Sequence, residues 1–319
     1  MEKEQEERAM GLLTKYLESG LEADLFEFRK VYQETIPSWH LTMLNDLPRN
    51  DFYRREIRAK VTGKVVLDIG CGSGLLTSYA LDAGAVHVYS VERDPILQTC
   101  FEFAFRKEIA QGRVTLFKDF SSKLAPGDLK QGPPQVVVHE IFSNDLFSEH
   151  VMEAFDDLFQ RGIVNSTMEF IPQKFKLWGS LHLAQADDEV TRLEDAQISE
   201  RFWFLENIVT FGQVMRYLPF HDKRGNDLSK PFEILAVDMK AFQYELKSTV
   251  VTEARDDGNY LRTWFELLGD EGRLGTDVKK EASSHWENAL YLTQFEKGRV
   301  RLDFQYASAA FTFRPRSQY

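Results

Sequence analysis

Hydrophobic positions follow two different periodic patterns along this chain, and the pattern changes near Pro172. Before that proline, short apolar runs alternate with stretches of helical spacing, which predicts buried strands joined by helices. The strands are predicted at 65–69, 86–91, 113–117 and 135–140, with helices over 75–83 and about 95–108. After Pro172, polar and apolar residues alternate singly, as in half-buried strands. These strands are predicted at 174–182, 233–239, 289–292 and 299–304.

The same patterns divide the chain into three predicted parts. Apolar stripes at helical spacing predict N-terminal helices over 1–60. The alternation of strands and helices predicts an α/β domain over 61–171. The alternation of single polar and apolar residues predicts a β domain over 172–319. A helical segment of about 184–217 interrupts the β domain near its start.

The first predicted strand, Val65–Ile69, runs directly into a glycine-rich turn, Gly70-Cys71-Gly72-Ser73-Gly74. A helix and a second strand follow, and that strand ends at Glu92. Strand, glycine turn, helix, strand and acid form the nucleotide-binding half of a doubly wound parallel sheet. Glycine lets the backbone pass close to a ligand, and Glu92 can accept hydrogens from both ribose hydroxyls. The alternative is a structural glycine turn in an unrelated α/β protein.

The charge of the chain limits the classes of partner that it can bind, and its cysteine content indicates the cellular compartment. The net charge of −11 argues against direct nucleic-acid binding and favours a basic protein partner or substrate, although it also serves simple solubility. Cys71 and Cys100 have no metal-ligand spacing and no disulfide framework, which predicts a reducing compartment, cytoplasm or nucleus, and no metal. No apolar run approaches the ~20 residues of a membrane span.

The glycine motif resembles the first motif of class I S-adenosylmethionine (AdoMet)-dependent methyltransferases. Its spacing, Gly70-x-Gly72-x-Gly74 with Asp68 before it, is shorter than the dinucleotide form Gly-x-Gly-x-x-Gly. The shorter form leaves no room for a pyrophosphate. The resemblance implies that Asp68, Gly70 and Gly72 line the methionine end of AdoMet.

Three further segments resemble the protein arginine methyltransferase family. Residues 43–53, with Asp46, Arg49 and Tyr53, resemble the helix before its AdoMet fold. Glu140 and Glu149 resemble its double-Glu loop, and residues 284–286 resemble its Thr-His-Trp loop. The resemblance covers about residues 25–305. It implies an AdoMet-binding Rossmann-like domain followed by a β-barrel with an inserted dimerisation arm.

The resemblance also implies a role for each site residue. Glu140 and Glu149 would grip the planar, permanently charged guanidinium of a substrate arginine, because paired carboxylates suit its geometry. His285 would join them as a catalytic residue and Trp286 would wall the pocket. Arg49 would meet the AdoMet carboxylate, and Glu92 would hold the ribose. The alternatives are solvated surface acids, a structural histidine and a core tryptophan.

Several positions depart from the family pattern. Lys30, Val31 and Glu34 replace the aromatic motif that covers the cofactor in most type I members. Residues 141–143, Ile-Phe-Ser, replace the usual Trp-Met-Gly, and Ser122 replaces the acid that often touches adenine. The barrel also ends early. Glu34 and the loop 140–149 instead resemble the monomethylating branch.

Three hypotheses follow. The first is a degenerate prozyme-type subunit that binds AdoMet weakly or not at all and activates a catalytic paralogue, through an aromatic patch on its arm, Phe202-Trp203-Phe204. The second is an active, monomethylating homodimer, and the third is an AdoMet-binding sensor. The family resemblance implies arginine-rich protein substrates, often RNA-binding proteins.

Overall fold

The described residues of this computed structural model form two compact units built from interleaved chain segments. The structure describes residues 3–32, 38–184, 214–218, 226–280 and 285–316. Within those limits, the first unit contains the residues up to 141 together with 157–173 and 269–272. The second unit contains 142–156, 174–268 and the residues from 273 onward.

Four helices open the described part of the first unit, in the range where the sequence patterns predict helices. They are α1 (Lys3–Ser19), α2 (Glu22–Val31), α3 (Ser38–Leu44) and α4 (Leu47–Lys60). The start of α4 is well specified, because Asp46 Oδ1 accepts a hydrogen bond from Arg49 N at 3.0 Å and Pro48 occupies the first turn. This cap fixes the position in the helix from which Arg49 projects.

The first unit is centred on a parallel sheet. Its strands are β1 (Val65–Ile69), β2 (His87–Val91), β3 (Val114–Phe117), β4 (Val136–His139) and β5 (Glu169–Ile171), in the order β3-β2-β1-β4-β5. Its helices are α5 (Leu75–Asp82) and α6 (Pro95–Ala110), and α7 (Val151–Gln160) lies between β4 and β5 in sequence. The strand order reverses between β1 and β4, and ligands of doubly wound sheets bind outside the carboxyl ends of strands at such a point.

The second unit is antiparallel. Its strands are β6 (Lys174–Leu183), β7 (Val214–Leu218), β8 (Asn226–Asp227), β9 (Phe232–Asp238), β10 (Leu246–Ala254), β11 (Gly258–Leu268), β12 (Arg273–Gly275), β13 (Asn288–Phe295), β14 (Gly298–Ala307) and β15 (Ala310–Arg316). One sheet has the order β7-β13-β11-β6-β8, with β9 paired to β6 and β12 paired to β11. The other has the order β10-β14-β15.

The predicted fold class is therefore confirmed: a Rossmann-like α/β part followed by a barrel-like antiparallel part. The sequence patterns missed β5, β7, β8, β10, β11, β12 and β15. Strand β11 is buried on both faces over most of its length, so its residues do not alternate between polar and apolar. The predicted arm, 184–217, overlaps β7, whereas its residues 185–213, with Phe202, Trp203 and Phe204, lie outside the described residues.

A buried charge network ties strands of the second unit together. Arg262 on β11 donates to both carboxylate oxygens of Asp227, at 3.0 and 2.8 Å, and to Asp277 and Asn288 at 2.7 Å each. Its side chain is only 1% exposed. Although burial raises the pKa of Asp227, the hydrogen bond with His182 and the Arg262 charge outweigh it and hold that pKa well below its ordinary value. The network therefore keeps Asp227 ionised.

Membrane-spanning helices are not found among the described segments, since none is both long and apolar enough.

Candidate active site

The glycine turn after β1 has a backbone that other residues rarely adopt. Gly70, Gly72 and Gly74 have φ angles of +72°, +55° and +98°. A Cβ at Gly70 would lie 2.5 Å from Ile141 Cγ2, and one at Gly74 would lie 2.2 Å from Phe105 Cε2. Glycine is therefore required twice at these positions, by the backbone angle and by the neighbours.

Replacing Gly74 with alanine is expected to lower the free energy of unfolding by about 2–4 kcal/mol, because the new Cβ combines a left-handed backbone with overpacking. The matched control is Gly11→Ala in α1, where a Cβ would meet no heavy atom within 4 Å. That change is expected to stabilise the protein by about 0.5–1 kcal/mol, since alanine is the better helix former. Urea denaturation measures both, and equal effects would contradict the prediction.

Glu92, at the end of β2, is held beside the glycine turn by backbone amides. Its Oε2 accepts a hydrogen bond from Gly72 N at 2.9 Å, and its Oε1 accepts from Arg93 N and Asp94 N at 2.7 Å each. Burial raises the pKa of Glu92 although these three bonds oppose the rise. The carboxylate is thereby fixed where the sequence predicts the ribose contact, and its remaining lone pairs can still accept hydroxyl hydrogens.

Asp68, in β1, is a buried carboxylate whose two oxygens differ in their contacts. Its Oδ2 accepts from Thr77 Oγ1 at 2.7 Å, and Thr77 also contacts Ser90. Its Oδ1 has no hydrogen-bond partner in the described part of the chain. Burial raises the pKa of Asp68 to about 7 although the bond from Thr77 opposes the rise. A buried carboxylate in this condition favours a cationic or hydrogen-bonding ligand.

Arg49 and Glu140 form a buried ion pair at the carboxyl end of β4. Arg49 Nη2 donates to Glu140 Oε2 at 2.6 Å, and the two side chains are 2% and 7% exposed. Arg49 Nη1 donates to Asn50 Oδ1 at 3.0 Å, and its Cζ lies 5.3 Å from the centre of the Tyr53 ring. The sequence assigned Arg49 to the cofactor and Glu140 to the substrate, whereas the structure places them in direct contact.

Two contacts fix the backbone around this pair. The Tyr53 hydroxyl donates to the carbonyl oxygen of His139 at 2.9 Å, immediately before Glu140. Further along α4, the buried carboxylate of Glu56 accepts from Asp270 N at 3.0 Å and from Glu271 N at 2.6 Å. Helix α4 therefore presents Arg49 from a rigid position.

His40 on α3 is a candidate site residue that sequence reasoning missed. Its Nε2 lies 3.1 Å from Ser73 Oγ, and its Cε1 would lie 3.2 Å from a Cβ at Gly72. Burial lowers the pKa of His40, so the neutral ring is favoured. No local motif marks a histidine some thirty residues before the turn that it contacts.

The loop after β3 contains Ser122, the position where the family resemblance implies an acid that often touches adenine, and Arg161, directly after α7, holds this loop. Arg161 Nη2 donates to the carbonyl oxygen of Ser121 at 2.9 Å, and Arg161 Nη1 donates to that of Leu124. Ser122 itself is exposed. The loop is therefore ordered although the usual carboxylate is missing.

Glu149, His285 and Trp286 belong to the second unit, whereas Glu140 belongs to the first. Glu149 is exposed. Trp286 is buried, donates from Nε1 to the carbonyl oxygen of Phe142 at 2.8 Å, and has its ring centre 4.0 Å from that of His285. The pairing of the two glutamates and the pocket-wall role of Trp286 stay predictions. Ser284 and Glu34 lie outside the described residues.

Metal ligands are not grouped in the described segments: no cluster of three or more histidine, cysteine, aspartate or glutamate side chains is placed to hold an ion.

Comparison with known proteins identifies relatives, although no protein-family model matches the chain. An arginine N(omega)-methyltransferase of Streptomyces achromogenes subsp. streptozoticus is 26% identical over 284 residues, which covers 88% of this chain and 77% of the relative. Protein arginine N-methyltransferase 9 of Xenopus laevis is 26% identical over 311 residues, 84% of this chain. This chain spans only 36% of that relative's length.

A solved structure shares the fold. The Trypanosoma brucei PRMT1 enzyme–prozyme heterotetrameric complex with AdoHcy matches 88% of this chain and 96% of its own chain, with a TM-score of 0.63 and 14% identity. The two chains thus share a Rossmann-like sheet and a barrel-like antiparallel part. Over most of its length the chain is similar to arginine N-methyltransferases.

Proposed function

We propose that this chain transfers the methyl group of AdoMet to a guanidinium nitrogen of an arginine. The observation that carries the proposal is the buried Arg49–Glu140 pair at the carboxyl end of β4, in the same unit as the glycine turn after β1. The edge shared by β1 and β4 is where doubly wound sheets bind their ligands.

The residues of the first unit fit AdoMet. Asp68 Oδ1 is buried without a hydrogen-bond donor in the described part of the chain, which suits an ammonium group. The Arg49 guanidinium is buried and charged, which suits a carboxylate. Glu92 suits a ribose diol. AdoMet, as the second substrate, would supply an electrophilic methyl group on its sulfonium sulfur.

The chain's own residues would orient the acceptor. Glu140 would accept hydrogen bonds from the substrate guanidinium and concentrate electron density on its attacking nitrogen. That nitrogen would form a bond to the methyl carbon while the carbon–sulfur bond breaks, so that the sulfonium leaves as a neutral thioether, and the nitrogen would release a proton to solvent. Positioning supplies most of the rate enhancement of such a transfer.

The acceptor class is an arginine side chain in a protein. The Xenopus relative is named as a protein arginine methyltransferase, whereas the Streptomyces relative is named as an arginine methyltransferase. The net charge of −11 favours basic, arginine-rich chains over a small zwitterion. The test below therefore distinguishes methylation of free arginine from methylation of arginine in a peptide.

A regulatory subunit is the second candidate, and specific positions favour it. Lys30, where the family has an aromatic residue, is exposed and paired with Glu27 at 2.7 Å. Ser122 supplies no carboxylate for adenine. The similar trypanosome structure is an enzyme–prozyme complex, which makes pairing with a catalytic paralogue a reasonable second proposal.

The test is methyl transfer from labelled AdoMet to a glycine- and arginine-rich peptide, by this chain alone and mixed with a family paralogue from the same cell. We expect incorporation by the chain alone, and none into a control peptide in which lysine replaces each arginine. Activity gained only in the mixture would overturn the enzyme proposal in favour of the regulatory subunit. Incorporation into free arginine but not peptide would overturn the acceptor class. Tight AdoMet binding by titration without transfer in either setting would indicate a sensor.

A further inference from the structure

The loop that carries Glu149 has a backbone under strain on both sides of that residue. Leu146 has a φ of +76° and His150 has a φ of +61°, and neither is glycine. Such conformations are unfavourable for residues that carry a Cβ, and they persist only where the surrounding structure enforces them. The surroundings of residues 142–150 must therefore supply that enforcement.

Turns inside the loop provide part of the restraint on these two backbone conformations. Leu146 N donates to Ser143 O and His150 N donates to Phe147 O, each at 2.8 Å. Ser148 N donates to Ser143 Oγ at 2.8 Å and to Asp145 Oδ1 at 3.0 Å. These bonds close the loop on itself, but they leave its orientation to outside contacts.

The outside contacts come from the C-terminal segment of the second unit. Asn144 Oδ1 accepts from Glu287 N at 2.9 Å, next to the bond between Trp286 and Phe142. The ring of Phe147 packs against those of Tyr306 and Phe311, with centres 4.5 and 5.7 Å away. The hairpin of β14 and β15 thus packs directly on the loop.

The same hairpin also holds the start of α7. Glu153 Oε1 accepts hydrogen bonds from the hydroxyls of Tyr306 and, at 3.2 Å, of Tyr244. Glu153 Oε2 lies 3.5 Å from Nδ1 of His150, the residue after Glu149. Burial and the carboxylate of Glu153 raise the pKa of Tyr306, so its hydroxyl stays a proton donor.

We propose that Tyr306 and Glu153 are positioning residues that hold the Glu149 carboxylate in register for the substrate guanidinium. The proposal rests on the proposed function, because Glu149 has a task only if an arginine binds. Tyr306 fixes the loop through Phe147 on one side of Glu149 and through Glu153 on the other. Neither residue carries a family motif in the sequence.

The test compares Tyr306→Phe, which keeps the ring against Phe147 and removes one hydrogen bond, with two variants of Glu153. Tyr306→Phe and Glu153→Leu are expected to lower kcat/KM for the arginine peptide about tenfold, with the Kd for AdoMet unchanged within about twofold. Glu153→Gln keeps an Oε1 acceptor and is expected to retain most of the activity. The matched control is Tyr89→Phe, which removes a hydroxyl bonded to Gln131 N and Gly132 O in the first unit.

Hydrogen exchange of residues 143–150 separates this proposal from the proposed function. Exchange of this loop is expected to be about tenfold faster in Tyr306→Phe and unchanged in Tyr89→Phe. If exchange of the loop is unchanged in Tyr306→Phe, the positioning role is overturned, whether or not the wild type is active. If the wild type transfers no methyl group in any mixture, the proposed function is overturned, and the exchange result still tests the positioning role. The positioning role is also overturned if the wild type is active and Tyr306→Phe shows faster exchange but the same kcat/KM as the wild type.

Discussion

Replacing Glu140 with glutamine is expected to lower the rate of methyl transfer at least about a hundredfold. The neutral amide cannot hold the substrate guanidinium by a charge-assisted bond, and it leaves the buried charge of Arg49, only 2% exposed, without its carboxylate. A single-turnover experiment with labelled AdoMet measures the effect on the chemical step, and titration of AdoMet shows how much of it comes from a displaced Arg49.

The control for charge removal is Glu102→Gln. Glu102 pairs with Lys118 at 2.6 Å, but both side chains are nearly half exposed, so its loss is expected to change the rate less than about twofold. Wild-type rates in Glu140→Gln would remove Glu140 from the reaction. A loss confined to AdoMet binding would make Glu140 a support for Arg49 alone.

Replacing Arg262 with methionine is expected to lower the free energy of unfolding by about 3–5 kcal/mol, because it leaves the buried carboxylate of Asp277 and the partly buried carboxylate of Asp227 without their shared cation. Arg262 donates four hydrogen bonds of 2.7–3.0 Å in this network. Urea denaturation at neutral pH measures the difference. A loss of this size would show that the network stabilises the fold, whereas an unchanged free energy of unfolding would show that it contributes nothing to stability.

An exposed ion pair gives the comparison for Arg262→Met. Arg273 is bonded to Glu266 but is 69% exposed, so Arg273→Met is expected to cost less than about 1 kcal/mol. The folded pKa of Asp227 is depressed, so its contribution is present above its unfolded pKa of about 3.9 and is lost as the pH falls below that value. Equal losses in the two variants, or a stability difference between wild type and Arg262→Met that does not shrink as the pH falls below about 3.9, would contradict the assignment.

Local patterns in the sequence predicted the parts of the site that are local in the chain. The glycine turn, Asp68 and Glu92 lie within one strand–helix–strand unit, where spacing alone indicates geometry. The contact of Arg49 with Glu140 spans 91 residues, and that of Glu153 with Tyr306 spans 153. No periodicity reports such pairs, because tertiary packing brings them together. For this reason the positioning contacts emerged only from the structure.

The buried carboxylate of Glu56 also has a consequence for synthesis. Its two amide donors belong to Asp270 and Glu271, more than two hundred residues later in the chain, although both are counted within the first unit. During translation the helix that carries Arg49 therefore leaves the ribosome long before its last partner is made. Contacts so distant in sequence form slowly, and a partly folded chain exposes aggregation-prone surface meanwhile. A fragment that ends at Gln173 would lack those donors permanently, so it should depend on chaperones more than its size suggests.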